Sequence, residues 1–270
     1  MRGSVTMHDT LSSLVERALT GNHRPLEFYL RDQSHLPGPR ANMDLASDVS
    51  HLLAASIARH PDTVRSLLNY FTNSDRKMIA RNTPAEFVMI CGIVALGVCT
   101  AVQLAWRTET QLLLDHYACS PYGRIREGVV IAYRYLLEAT PQETIAHLMH
   151  LATNGDYLQQ HMAIATVAEP NILYISEILD AALKMQRIVL EHLHCASPES
   201  KNEAFRVLRR TLGYTLSVVT AAAPEQGFAL MRECASWHNM DITWVLRENL
   251  KKKRLAKFSR HTEEVSRLLA

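Results

Sequence analysis

Apolar residues recur at steps of three and four along almost the whole chain. In residues 198–222, Phe205, Leu208, Leu212, Leu216 and Val219 fall on one stripe, and in residues 171–195, Ile172, Ile175, Leu179, Ala182, Val189 and Leu193 do the same. That is the period of amphipathic helices. No segment sustains the period-two alternation of a strand, and the one good hairpin dipeptide, Asn154-Gly155, stands between two helix-period runs. Pro61, Pro84, Pro121, Pro141, Pro198 and Pro224 each precede a periodic run, as expected of a residue tolerated in a helix's first turn but not in its interior. Ser120, Thr140 and Ser197 stand before three of these prolines as candidate caps. The pattern predicts an all-α chain of about a dozen helices with short joints.

One run breaks the amphipathic rule. Phe87 to Ala105 carries no charge over 19 residues, which meets the length criterion for a membrane span. Gln103, Thr100, two cysteines and two glycines dilute it, and its neighbours are amphipathic. A helix apolar all round also belongs in the interior of a large helical protein. The expectation is a buried core helix and no membrane.

The joints recur. Turns followed by a helix begin near Asn82, Cys119, Asn154, Ser197 and Asn239, at separations of 37, 35, 43 and 42 residues. Two helices per period of this length is the mark of arrays whose units bury their apolar faces only against one another. Two segments carry a closer likeness: Ser120-Pro121-Tyr122-Gly123-Arg124-Ile125-Arg126-Glu127 running on to Ala132, and Asp241-Ile242-Thr243-Trp244-Val245-Leu246-Arg247-Glu248-Asn249-Leu250. Each resembles the start of a HEAT repeat, with a turn residue, an aliphatic-Arg pair and then a helix. The stretch DITWVLRENLKKKRL is similar to the closing repeat of bacterial HEAT-repeat proteins, and the likeness covers residues 82–260. It implies a right-handed α-solenoid of helical pairs. Residues 1–80 are expected to form an N-terminal helical cap with a structured loop at 35–42, residues 81–260 the repeats, and residues 261–270 a tail helix.

Composition adds a direction to this picture. Apolar residues make up 47% and charged ones 21%, which excludes global disorder. The formal net charge is only +2, but residues 201–270 hold 13 Lys+Arg against 7 Asp+Glu, whereas residues 1–200 hold 16 against 20. A basic end hints at an anionic partner. Five cysteines, Cys91, Cys99, Cys119, Cys195 and Cys234, form no C-x-x-C pair and mostly sit in apolar runs, as reduced core thiols do. The first residues have no signal-peptide character. A cytoplasmic protein is expected.

Candidate chemistry is sparse. Gly92 and Gly97 have P-loop spacing, but Val98 stands where a lysine must reach the phosphates. Glu191 and His194 share a helical face without the second copy that a di-iron bundle needs. His192 and His194 are about 200° apart on a helix, and His147 with His150 lacks a third ligand. No metal site and no cofactor are expected. The C-terminal run Arg247, Lys251, Lys252, Lys253, Arg254, Lys257 and Arg260, with Trp244 and Phe258 beside it, reads as one helical segment able to bind phosphates. The same cations would also satisfy a helix dipole and solubilise the end of an array. Arg40, in the loop His35-Leu36-Pro37-Gly38-Pro39-Arg40-Ala41-Asn42, is a further contact candidate.

The chain is also distantly similar to the HEAT-like alkylpurine DNA glycosylases. That resemblance implies duplex DNA on a basic surface with Trp and Asp at the lesion, and Trp106, Trp237, Trp244, Asp115 and Asp241 supply the residue types. Their spacing does not map onto that family's site. The function expected is therefore a non-enzymatic scaffold that binds a protein partner on its concave face. The alternative is a DNA-binding, possible repair protein that uses the basic C-terminal segment.

Overall fold

A computed structural model describes residues 7–73 and 80–270. Among the described residues there are fourteen α-helices and no strand. Contacts divide the chain into two compact units, Met1–Ala139 and Thr140–Ala270, so the cap boundary expected at residue 80 falls inside the first.

The first unit holds α1 (Met7–Leu19), α2 (Arg24–Asp32), α3 (Met43–Ser56), α4 (Pro61–Asn73), α5 (Pro84–Val102), α6 (Arg107–Ala118) and α7 (Gly123–Ala139). The charge-free run is α5, and every residue from Glu86 to Thr100 is buried. It packs against α3, α4 and α7, with α2 and α6 also touching it. Among the described residues it is the one helix long and apolar enough to cross a membrane, and 83% of its apolar window is buried inside the protein. The glycine spacing that mimics a P-loop has a steric cause instead. Gly97 lies so close to α7 that a Cβ would collide with the Ala132 backbone, and a Cβ on Gly92 would come within 2.8 Å of Phe71 Cβ on α4.

A polar knot ties the loop before α3 to this core. Arg124 on α7 donates to Gly38 O at 2.6 Å and to Asn82 Oδ1 at 3.0 Å. Asn82 Oδ1 also accepts from Gly38 N, and Asn82 N donates to the buried Glu86 carboxylate at 2.7 Å. Asn82 (φ 63°) and His35 (φ 58°) hold left-handed backbone, a conformation that asparagine and histidine visit more readily than most side chains.

The second unit holds α8 (Pro141–Asn154), α9 (Tyr157–Val167), α10 (Ser176–His194), α11 (Glu203–Ala222), α12 (Pro224–Ala235), α13 (Met240–Leu250) and α14 (Ser259–Leu268). Helices α8, α10, α12 and α14 pack each on the next as one layer, α9, α11 and α13 as another, and consecutive helices pack across the two. The joints at Asn154, Ser197 and Asn239 precede α9, α11 and α13, as Asn82 and Cys119 precede α5 and α7 in the first unit.

Local details differ from expectation. Side-chain caps come from Asn42, Thr83, Asp156, Asn202 and Asn239. Thr140 and Ser197 make no such bond, and Pro198 heads a single 3-10 turn ahead of α11. Asn154-Gly155 ends α8 and opens no hairpin. In α10 the inward face is Ile178, Ala182, Met185, Val189 and Leu193, whereas Ile175 and Leu179 are half-buried. The helix starts only at Ser176, so the apolar residues ahead of it belong to the preceding loop.

A candidate binding face on α11 and α13

The apolar stripe of α11 points inward, with Phe205, Leu208, Leu212, Leu216 and Val219 all buried. The 3.6-residue period therefore sends Glu203, Arg206, Arg210 and Tyr214 outward. On α13 the same logic leaves Trp244 and Arg247, with Lys251 as the capping residue just past its end, on the outer side, over a buried Ile242, Val245 and Leu246. Asn249, fully buried, locks the two helices together. Its Oδ1 accepts from Ser217 N at 2.7 Å and its Nδ2 donates to Leu212 O at 2.8 Å.

Trp244 sits on Gly213, where a Cβ would stand 3.2 Å from the indole, and the Arg209 guanidinium lies 4.4 Å from the ring centroid. The same guanidinium donates to Asp241 Oδ1, while Lys201 Nζ reaches Asp241 Oδ2 at 2.7 Å. Burial by itself pushes the Asp241 carboxyl up, but the hydrogen bonds from Lys201 and Arg209 outweigh it and hold the group below its ordinary value. Further out, Glu203 bridges Arg206 at 3.1 Å and Arg210 at 2.8 Å, and Glu248 meets Lys251 at 2.5 Å. Hydrogen bonds from these cations lower both glutamates. Five cations, Lys201, Arg206, Arg209, Arg210 and Lys251, thus pair with three carboxylates.

The basic run expected as one helix is broken. The α13 helix ends at Leu250, and a 3-10 turn over Lys253–Phe258 follows. Short-range bonds from Lys252 N to Asn249 O and from Leu255 N to Lys252 O close the break, and the Leu255 side chain is buried beneath it. Lys253, Arg254 and Lys257 are exposed, and Lys252 is half-buried. Among the described residues Lys252, Lys253 and Arg254 form no ion pair, although the Lys252 charge helps to lower Glu248, whereas Arg260 meets Glu264 at 3.5 Å. Arg247 donates to Leu269 O at 2.7 Å and so fastens the residue that caps α14. Phe258 packs edge-on to Phe228, on which His261 stacks. Both aromatics singled out from the sequence are therefore already in contact with other side chains.

Arg40 belongs to the first unit. It lies exposed beside a cleft of about 520 Å³ that His35, Asn42, Asp44, Arg124 and Glu127 help to line. Of the other residue types weighed for catalysis, Asp115 accepts from Tyr133 Oη at 2.5 Å and Trp237 packs on His194. His192 bonds Gln160 at 3.0 Å, on another side of α10 from His194. Among the described residues no three His, Cys, Asp or Glu side chains converge as a metal site.

Arg206, Arg209, Arg210 and Tyr214 were not among the candidates that the sequence singles out. Their signal was present as the polar complement of the apolar stripe on α11, a face that the denser run 251–254 overshadowed. The chain matches no protein-family model, and no curated protein is similar to it.

Proposed function

We propose that the protein is a non-enzymatic scaffold of HEAT-like helical pairs, wound as a right-handed solenoid, and that the α11–α13 face of its second unit binds a protein partner. The observation that carries this reading is the arginine-rich face itself, with Tyr214 and Trp244 set among its cations. Arg, Tyr and Trp are the residue types that dominate interface energetics. In the other layer Arg187 with Glu233 and Arg232 with Glu264 tie helix to helix, beside pairs within one helix such as Arg260 with Glu264 and Arg267 with Glu263. In this reading the protein works in the cytoplasm without cofactor or membrane. A photo-crosslinking residue placed at Arg210 should capture a protein in the native cell, and one placed at the exposed Lys184 on α10 should not. Equal capture at both positions, or none at Arg210, would overturn the assignment.

A second reading rests on Lys252, Lys253 and Arg254, which are consecutive and, among the described residues, in no ion pair with a carboxylate. Such a run attracts phosphates, and it would make the protein DNA-binding in the manner of the HEAT-like glycosylases. Duplex DNA should then shift on a gel, release steeply with salt, and be lost when Lys251, Lys252 and Lys253 are changed to Glu. A shift that salt does not weaken excludes this mode.

A further inference from the structure

The scaffold reading leaves the chemistry of the partner open, and the ion pairs on the α11–α13 face narrow it. Arg206, Arg210 and Lys251 are 62–68% exposed in their side chains, and each is held by a glutamate of its own helix. Pairs within one exposed helix contribute little to holding a fold, so these three cations can change partners without loosening the layer. Lys201 and Arg209 differ, because both are committed to the buried Asp241. The exchangeable set therefore runs along two neighbouring helices, and what it already holds is carboxylate.

We infer that the segment docking on this face is an acidic stretch of protein, whose Asp and Glu carboxylates take Arg206, Arg210 and Lys251 over from Glu203 and Glu248. This rests on the scaffold reading. A nucleic acid fits the same face less well. Arg206, Arg210 and Lys251 already hold carboxylates, and the Arg209 guanidinium lies against the Trp244 ring. The dense run of cations that a phosphate chain favours lies beyond α13, at Lys252 to Arg254.

The test uses the full chain and a fluorescein-labelled peptide of Glu-Glu-Leu repeats, read by anisotropy. Binding should weaken with salt and fall at least about tenfold when Arg206 and Arg210 are both changed to Glu. It should stay within about twofold when Lys252, Lys253 and Arg254 are reversed instead. Glu203→Gln, which removes the internal competitor, should tighten it. Displacement of the peptide by duplex DNA at lower concentration, or a loss that follows the 252–254 reversal, overturns the inference. If crosslinking at Arg210 captures a protein that the acidic peptide fails to displace, the acidic partner is wrong and the scaffold stands. If no capture occurs at Arg210, the scaffold reading falls on its own.

Discussion

The Arg209 guanidinium lies 4.4 Å over the Trp244 ring and at the same time donates to Asp241, so one side chain joins an aromatic and a buried carboxylate across α11 and α13. Removing it as Arg209→Ala leaves Asp241 with Lys201 alone and uncovers the indole. We expect a loss of about 1–3 kcal/mol in urea unfolding, with a red shift of tryptophan emission in the folded state. Arg209→Lys keeps the charge but not the flat ring contact, and should fall between the two. A wild-type midpoint for Arg209→Ala would show that the contact carries no weight.

Asp241 makes a second prediction, in pH. Its carboxyl is held below the ordinary value in the folded chain, Lys201 and Arg209 outweighing the opposing effect of burial. The unfolded chain therefore binds that proton more readily. The stabilisation is complete above the unfolded carboxylate pKa of about 4 and is lost as pH falls through the lower folded value. The difference in unfolding midpoint between wild type and Asp241→Asn should accordingly be widest near neutrality and close in acid. A difference that does not change with pH would refute it.

Two glycines of the first unit should respond to the same substitution with opposite signs. Gly97→Ala forces a methyl into the Ala132 backbone and should cost about 1–3 kcal/mol. On Gly128 a Cβ meets the Ile90 and Ile93 side chains at 3.5–3.6 Å and the Ile90 Cα at 3.9 Å, all ordinary contacts. Gly128→Ala should stabilise α7 by about 0.5–1 kcal/mol through helix propensity. Calorimetry on the two variants decides it, and a shared sign would contradict the geometry.

How much of this could be read in advance depended on whether a signal was local. The stripe Phe205 to Val219 is set by neighbours three and four residues away, and α11 followed it. The joints at Asn82, Cys119, Asn154, Ser197 and Asn239 were legible for the same reason, and each opens every second helix. The phase of α10 was not, because Ile172 and Ile175 are apolar residues of a loop that continue a helical period by coincidence. The break after Leu250 was also hidden. Lys251 to Arg254 are good helix formers, and the burial of Leu255 beneath the turn is a tertiary fact. The face itself needed both helices at once. Trp244 and Arg247 were identified from their own segment, but Arg206 and Arg210 gain their meaning only from α13 lying alongside.

Asn249 bears on that face in a way its hydrogen bonds alone do not express. Apolar helix surfaces can slip past one another by a turn, about 5.4 Å, and still bury similar area. A carboxamide that must meet Ser217 N and Leu212 O has one berth only, since any other offset strands it among hydrocarbon. Two long helices are thereby held at a single axial offset. Arg206 and Arg210 on one, and Lys251 at the end of the other, become fixed marks on a ruler, and a partner is measured against their spacing.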